Sequence, residues 1–323
     1  MTIKSMQELL AEHDAREQRA DEGGGRARLL RHPRLGRLGA RERIAALVDE
    51  GSFVELGRHV VHRHGADSDA LAANQHPGDG LVCGFGAVNG RTVAVYAHDP
   101  TVMRGGLGHA ASLKLCRLLD LAGERGHPVV ALVDCDGVRV DEGIDAIDAY
   151  GEIIRRTVRL KGRVPQLTLV CGLCVGAAAY TATLTDCVGM IAGQSYMFIT
   201  GPKVTRVVTG EEVELADLGG PDVHAKKTGA VHAVLEDERA GIEWLKKLLG
   251  YASGTHPSVT PSLSALDGGG ELENLIPVEP RRAYDVRKVL NAIFDGGSLL
   301  ELSPKFGGSL ITAFARLGDR PVA

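Results

Sequence analysis

The chain has 323 residues, a formal net charge of −4 and 44% hydrophobic residues, the profile of an ordinary globular protein long enough for two hydrophobic cores. Its 37 basic side chains against 41 acidic ones leave no cationic surplus for nucleic acid, and an aromatic content of 4% leaves few rings for a stacked ligand box. The N-terminus, MTIKSMQELLAEHDAREQRADEGGG, is too polar for a signal peptide, so a cytoplasmic location is expected.

An acidic helix, Met6 to Glu22, is followed by a basic stretch containing Arg26, Arg28, Arg31, Arg34 and Arg37. Such a cluster could face a phosphate-bearing ligand or form a solvated arm that wraps a partner subunit, and both readings stay open. Leu81 to Phe85 and Thr92 to Tyr96 read as strands around an Asn89-Gly90 hairpin turn. After the glycine-rich turn Arg104-Gly-Gly-Leu-Gly108 come a helix at Ser112 to Ala122, an apolar strand at Val129 to Val133, a helix at Ile144 to Leu160 and a strand at Leu167. This alternation predicts crossover units, with helices layered around mostly buried strands.

The stretch from Leu167 to Asp186, LTLVCGLCVGAAAYTATLTD, carries the chemistry. An apolar strand breaks at glycine and restarts as a helix of small residues, which frees backbone N–H groups at the first helical turn, reinforced by the helix dipole. Gly176 and Ala177 are the candidate oxyanion-hole donors; a tightly packed buried helix accounts for the same small residues equally well. Although uncharged from Leu167 to Leu184, the stretch has interior glycines and threonines and ends near Asp186, which fits a buried strand followed by a buried helix better than a transmembrane helix. Of six cysteines, Cys83, Cys116, Cys135, Cys171, Cys174 and Cys187, only Cys171-Gly-Leu-Cys174 has a recognisable spacing. Its first cysteine is placed at the end of the apolar strand, where a redox pair would open a helix, and no second pair exists to complete a zinc site. Buried, reduced thiols and no metal are expected.

The chain also repeats itself. IAALVDEGSFVEL at Ile44 to Leu56 recurs as LNAIFDGGSLLEL at Leu290 to Leu302, and the hairpin at Val82 to Ala94 recurs at Ile311 to Ala323. A linker rich in proline, glycine and serine lies between the copies. The expected divisions are a helical and basic arm at 1–40, a first domain at 41–253, the linker at 254–280 and the start of a second, similar domain at 281–323. The second copy stops in mid-strand, so apolar surface is expected near Leu310 to Ala323.

Six ordered motifs now resemble one family. ARERIAALVDEGSFVEL, PGDGLVCGFGAVNGRTVAVYAHD, DCDGVRVDEG, CGLCVGAAAYTATLTD, MFITGPKVTRVVTGEEV and LGGPDVHAKKTGAVH are similar to the carboxyltransferase (beta) subunits of biotin-dependent acyl-CoA carboxylases of the propionyl-CoA carboxylase type. The resemblance implies an α/β, crotonase-like fold in two related domains, of which this chain holds the N-terminal one. It implies a carboxyl group moved from carboxybiotin, on a separate biotin carboxylase or carrier subunit, to the α carbon of a short acyl-CoA through an enolate. It also implies a homo- or hetero-oligomer, with Thr200-Gly201-Pro202 as a structural turn near the pocket.

Residue by residue, the family's enolate donors fall on Gly176 and Ala177, and its loop beside the acyl pocket falls on Asp136, Gly137 and Val138. Lys114 and Arg28 are the positions that could meet a CoA phosphate, with a solvated surface charge as the alternative for each. Two loops depart from the family pattern. Cys135, Asp136, Gly137 and Val138 replace serine, two glycines and alanine, which should narrow the site at Val138, and an inward-facing Asp136 should either repel a carboxylated product or demand a basic partner. Val175 and Ala177 replace alanine and the second of two glycines. Decarboxylation of an acyl-CoA on the same scaffold, and a non-catalytic subunit, are the alternatives.

Overall fold

A computed structural model describes residues 4–30, 36–62, 75–252, 275–279 and 281–323. It contains two compact units that divide between Lys246 and Lys247.

The first unit opens with α1 (Met6–Glu22), started by a capping box in which Ser5 and Glu8 satisfy each other's backbone N–H. A short α2 (Ala40–Leu47) leads to the strand pair β1 (Val54–Glu55) and β2 (Leu81–Val88), and β2 turns through Asn89-Gly90 into β3 (Arg91–His98). Both turn residues have positive φ, 50° and 76°, which suits the right-handed twist of the strands they join. Then follow α3 (His109–Arg125), β4 (Val129–Cys135), α4 (Gly143–Leu160), β5 (Gln166–Val175), α5 (Ala177–Leu184), β6 (Cys187–Ile191), β7 (Tyr196–Phe198), α6 (Pro202–Thr209), β8 (Ala233–Leu235) and α7 (Glu238–Tyr251), within which the division falls.

The sheet runs β1-β2-β3-β4-β5-β6-β8, with β7 paired to β5. The first three strands are antiparallel, and every later pairing is parallel. All seven residues of β4 and the first seven of β5 are buried, as strands covered on both faces should be. The ten-residue β5 is long enough to pair β6 along Leu167 to Val170 and β7 along Leu173 to Val175. On α4 the buried positions Ala146, Ala149, Tyr150, Ile153, Thr157 and Leu160 recur at helical spacing and form one face. Gly201 caps α6 and Pro202 is its first residue, the usual place for proline in a helix.

Two details differ from the sequence expectation. The helix α3 begins three residues earlier than Ser112, because its first turn is capped from outside: the Glu142 carboxylate accepts the His109 N–H at 2.8 Å and the Asp79 carboxylate accepts the Ala111 N–H at 2.9 Å. Cys171 does not end the strand. It and Cys174 both lie inside β5, because β7 supplies a pairing partner for the strand's far half. All six cysteines are buried and free, and burial pushes the Cys171 and Cys135 thiols up to about 12.

The second unit repeats the opening of the first. α8 (Val286–Ile293), β9 (Leu300–Leu302), β10 (Thr312–Leu317) and β11 (Arg320–Val322) form a three-stranded antiparallel sheet in the order β11-β10-β9. The repeat extends to individual bonds. In the first unit the Asp49 carboxylate accepts the Asn89 and Gly90 N–H groups of the hairpin turn at 3.0 and 2.8 Å, and in the second Asp295 accepts Gly318 and Asp319 at 2.9 and 2.8 Å. The Ser52 hydroxyl accepts the Ala87 N–H at 2.9 Å, and that of Ser298 accepts Arg316 at 3.0 Å. Leu310 and Leu317 are exposed, 72% and 43%. No helix among the described residues is long and apolar enough to cross a membrane.

Candidate active site

Two loops leave the carboxyl ends of β4 and β5 side by side, since Cys135 and Cys174 are register partners across the two strands. Gly137 in the first loop has φ +95°, and a Cβ there would lie 3.0 Å from the Val175 carbonyl oxygen at the start of the second. The loops therefore touch at a position where any side chain would push them apart.

The first loop is stitched to the turn before α3. Leu107 N–H donates to the Gly137 carbonyl at 2.9 Å, and Arg139 N–H donates to the Leu107 carbonyl at 3.0 Å. These bonds define a one-residue parallel bridge between Leu107 and Val138. Alternation of the extended backbone turns the N–H of Val138 itself the other way, and it has no acceptor among the described residues. The Val138 side chain packs against the buried core. Its bulk is thus taken up below the loop, not in the opening as the sequence suggested.

In the second loop Gly176 precedes α5 with φ 60° and ψ −122°. Its N–H is already used: it donates to the Phe198 carbonyl at 3.0 Å, extending the β5–β7 pairing by one residue. Ala177 is the first helical residue, and its N–H has no acceptor among the described residues. Of the two expected donors, Gly176 is thus engaged in strand pairing. Among the described residues the unpartnered N–H groups at these loops include Ala177 and Val138, and no sequence signal pointed to the second, because it depends on which way a single bridge turns.

Asp136 finds the basic partner it was expected to need. Its Oδ2 lies 3.1 Å from Nη2 of Arg104, and the Asp136 N–H donates to the Arg104 carbonyl at 3.2 Å. The Arg104 side chain is 71% exposed and that of Asp136 31%. Arg104 holds φ 57° and ψ 30°, a left-handed conformation that costs an ordinary residue about 1–2 kcal/mol. An exposed ion pair returns about 0–1 kcal/mol, so stability alone gives no reason for an arginine at this position.

Behind the loops lie two buried ionic clusters. Arg139, 4% exposed, donates to Asp79 at 2.5 Å, to Glu142 at 3.2 Å and to the Gly106 carbonyl at 2.8 Å, which fixes the end of the first loop. Burial raises the pKa of Asp79 against the lowering influence of Arg139. The second cluster holds both loops at once. Asp134, the residue before Cys135, accepts from Arg37 at 2.5 Å, from Arg43 at 3.2 Å and from the Leu173 N–H at 3.1 Å. Arg43 in turn donates to Glu238 at 2.7 and 3.0 Å, and Gln194 donates to Glu238 at 2.5 Å and to the Cys171 carbonyl at 2.7 Å. Gly172 admits this cluster, since a Cβ there would sit 2.2 Å from both Asp134 and Arg37.

The remaining sequence candidates lie elsewhere. Lys114 is buried, 7% exposed, and its ammonium donates to the Leu81 carbonyl at 2.5 Å and the Gly78 carbonyl at 3.3 Å. It is therefore not a solvated surface charge; the Leu81 and Gly78 carbonyls accept its hydrogen bonds because the chain passes over the helix there. Arg28 is exposed and donates to the Thr101 carbonyl at 3.0 Å. Of the basic cluster, Arg37 is committed to Asp134 in the interior, and Arg31 and Arg34 lie outside the described residues. No cluster of metal-ligating side chains occurs among the described residues.

A mixed sheet whose parallel strands deliver two adjoining loops with unpartnered amides is the crotonase-like arrangement. The chain belongs to the carboxyl transferase domain family, whose model matches residues 31–323. It is 36% identical over 322 residues to the propionyl-CoA carboxylase carboxyltransferase subunit of Haloferax mediterranei, covering 98% of this chain and 62% of that one. It is 37% identical over 307 residues to the methylmalonyl-CoA decarboxylase subunit alpha of Propionigenium modestum, covering 93% of this chain and 58% of that one. The crystal structure of transcarboxylase 12S, a hexamer with methylmalonyl-coenzyme A and methylmalonic acid bound, superposes with a TM-score of 0.92 at 34% identity, over 99% of this chain and 63% of that one. The chain thus spans less than two thirds of the length of these relatives.

Proposed function

We propose that this chain provides the acyl-CoA half-site of a carboxyltransferase that works with biotin carried on another protein. The observation that carries the reading is the pair of unpartnered amides, Ala177 N–H and Val138 N–H, on two loops that touch at Gly137 and Val175. A thioester oxygen seated between them would be held by two preorganised donors. Loss of the α proton places negative charge on that oxygen, and each donor of this kind lowers the barrier by about 3–4 kcal/mol.

Asp136 is committed to Arg104, and Arg139 to Asp79 and Glu142. These paired groups are not placed as general bases, which suits a reaction whose base arrives with the cofactor. When bound, carboxybiotin supplies the carboxyl group and, after CO2 departs, the nitrogen that takes the α proton. Exposed apolar side chains follow each loop, with Val140 and Ile144 after the first and Tyr180 and Ile199 near the second, and these suit an uncharged bicyclic ring. The biotin carrier and a second carboxyltransferase subunit are the partners this reading requires.

The same amides would stabilise the same enolate formed by loss of CO2, and similarity to a decarboxylase alpha subunit favours that as the second reading. The experiment is calorimetric binding of propionyl-CoA and of its thioether analogue, which lacks the carbonyl, to the parent chain and to Ala177→Pro. Proline is well tolerated at the first helical position, and its ring replaces the N–H. The thioester should bind more tightly than the thioether to the parent, and the difference should shrink at least tenfold in the variant. Equal binding of the two compounds to the parent would refute the amide pair, and no binding of either would move the assignment to a non-catalytic subunit.

A further inference from the structure

Arg104 and Asp136 stand at the outer edge of the same loops, and nothing derived so far uses the guanidinium. We infer that Arg104 is a specificity-determining residue that binds the free carboxylate of an acyl-CoA already carboxylated at its α carbon, with Asp136 as the counter-ion that holds it while that carboxylate is absent. The inference rests on the proposed acyl-CoA reading.

Four observations support it. Arg104 occupies a left-handed backbone conformation, φ 57° and ψ 30°, where glycine would fit without strain. The ion pair with Asp136 is too exposed to compensate through stability, at 71% and 31%. The guanidinium is a planar fork of five donors, and the contact to Asp136 occupies one edge of it at Nη2, leaving a bidentate face for a second carboxylate. Finally, the Asp136 N–H is anchored to the Arg104 carbonyl at 3.2 Å, and Asp136 stands two residues before the free Val138 amide. A thioester oxygen at the amides and a carboxylate at Arg104 are therefore addressed by the two ends of one short loop.

Exchange of partners explains the pairing. An unpaired arginine at the opening would attract any anion, whereas one held by Asp136 yields only to a ligand that is itself fixed at the amides. The α-carboxylated thioester is the species that carboxylation produces and decarboxylation consumes, so the same recognition would serve either direction.

The test titrates propionyl-CoA and methylmalonyl-CoA into the full chain, its Arg104→Gly and Arg104→Lys variants, and Asp136→Asn. Glycine suits the backbone at 104, so the first variant should fold normally, as its thermal melt will report. Arg104→Gly should lower methylmalonyl-CoA affinity at least tenfold more than propionyl-CoA affinity. Asp136→Asn, which removes the competing carboxylate, should raise methylmalonyl-CoA affinity several-fold relative to propionyl-CoA, and Arg104→Lys should retain part of the preference. Parallel changes for both esters in Arg104→Gly, or a fall in methylmalonyl-CoA affinity in Asp136→Asn, would overturn the inference and leave the acyl-CoA half-site standing. Failure of the parent chain to bind either ester would overturn both.

Discussion

Replacing Glu238 by glutamine tests whether the buried ionic cluster holds the two loops together. Arg43 is 0% exposed, the Glu238 and Asp134 side chains are 3% and 5% exposed, and the cluster balances two guanidinium groups against two carboxylates. Burial opposes the charge on Arg43, but its surroundings, with Glu238 and Asp134 in direct contact, outweigh the burial and raise its pKa. Glu238→Gln removes one negative charge and leaves the interior with an uncompensated guanidinium. Breaking a buried pair in this way costs about 3–5 kcal/mol. For a folding unit of this size each kcal/mol lowers the melting temperature by about 2–4 °C, so the variant should melt roughly 6–20 °C below the parent. Differential scanning calorimetry on the full chain at neutral pH reads the shift directly. Arg43→Met with Glu238→Met, which removes the pair together, should cost less than the sum of the single changes by about 1–3 kcal/mol. A Glu238→Gln melt within about 2 °C of the parent would refute the reasoning, because the charge would then be satisfied by something other than this cluster.

Three further outcomes are expected. His98 is 2% exposed, neither ring nitrogen has a hydrogen-bond partner among the described residues, and burial lowers its pKa to about 4 despite the nearby charge of Asp134. The unfolded chain, with an ordinary histidine pKa near 6.5, therefore takes up a proton before the folded one does, and stability should fall by about 3 kcal/mol as pH drops from 6.5 to 4. Chemical denaturation across that range should show the acid limb flatten by this amount in His98→Phe; an unchanged slope would assign the limb to other groups. Gly137→Ala places a methyl group 3.0 Å from the Val175 carbonyl in a backbone conformation of φ +95°, so it should destabilise the chain by at least about 1 kcal/mol and weaken propionyl-CoA binding more than its melt suggests. Lys114→Met strands two carbonyls that the ammonium now serves, at an expected cost of about 1–3 kcal/mol in denaturant unfolding. Because the ammonium points at those carbonyls, propionyl-CoA affinity should hold; its loss in a well-folded variant would restore the phosphate assignment.

Much of the architecture was legible in the chain because it rests on local rules. The apolar run from Val129 and the Asn89-Gly90 turn announce themselves by composition, and each is found where expected. The repeat was legible for a further reason. Asp49 and Asp295, like Ser52 and Ser298, make the same bonds to their respective hairpins, and a residue that serves one fixed backbone geometry twice must be the same residue twice. By contrast, the outer caps of α3 come from Asp79 and Glu142, which stand 32 and 33 residues from the N–H groups they accept. No window of sequence around Gly108 contains them, so the helix start was placed late.

The candidate site divides along the same line. A glycine followed by small residues signals a strand-to-helix turn, and free amides at such a turn follow from helix geometry alone. Which amide is free does not. The Gly176 N–H is taken by Phe198 because β7, only three residues long, returns to the far end of β5, and that return leaves Ala177 as the unpartnered one of the two expected amides. Val138 becomes a donor for the opposite reason: its neighbours Gly137 and Arg139 are spent on Leu107, so its own N–H is the one left facing outward. Likewise, Asp136 was recognisable as a carboxylate needing a partner, but Arg104 could be named only once the turn and the loop were seen to share hydrogen bonds. A backbone site is written in the sequence as permission, through glycine and alanine. The strand pairing then chooses which of the permitted groups remains unpaired, and with it where an oxyanion can be held.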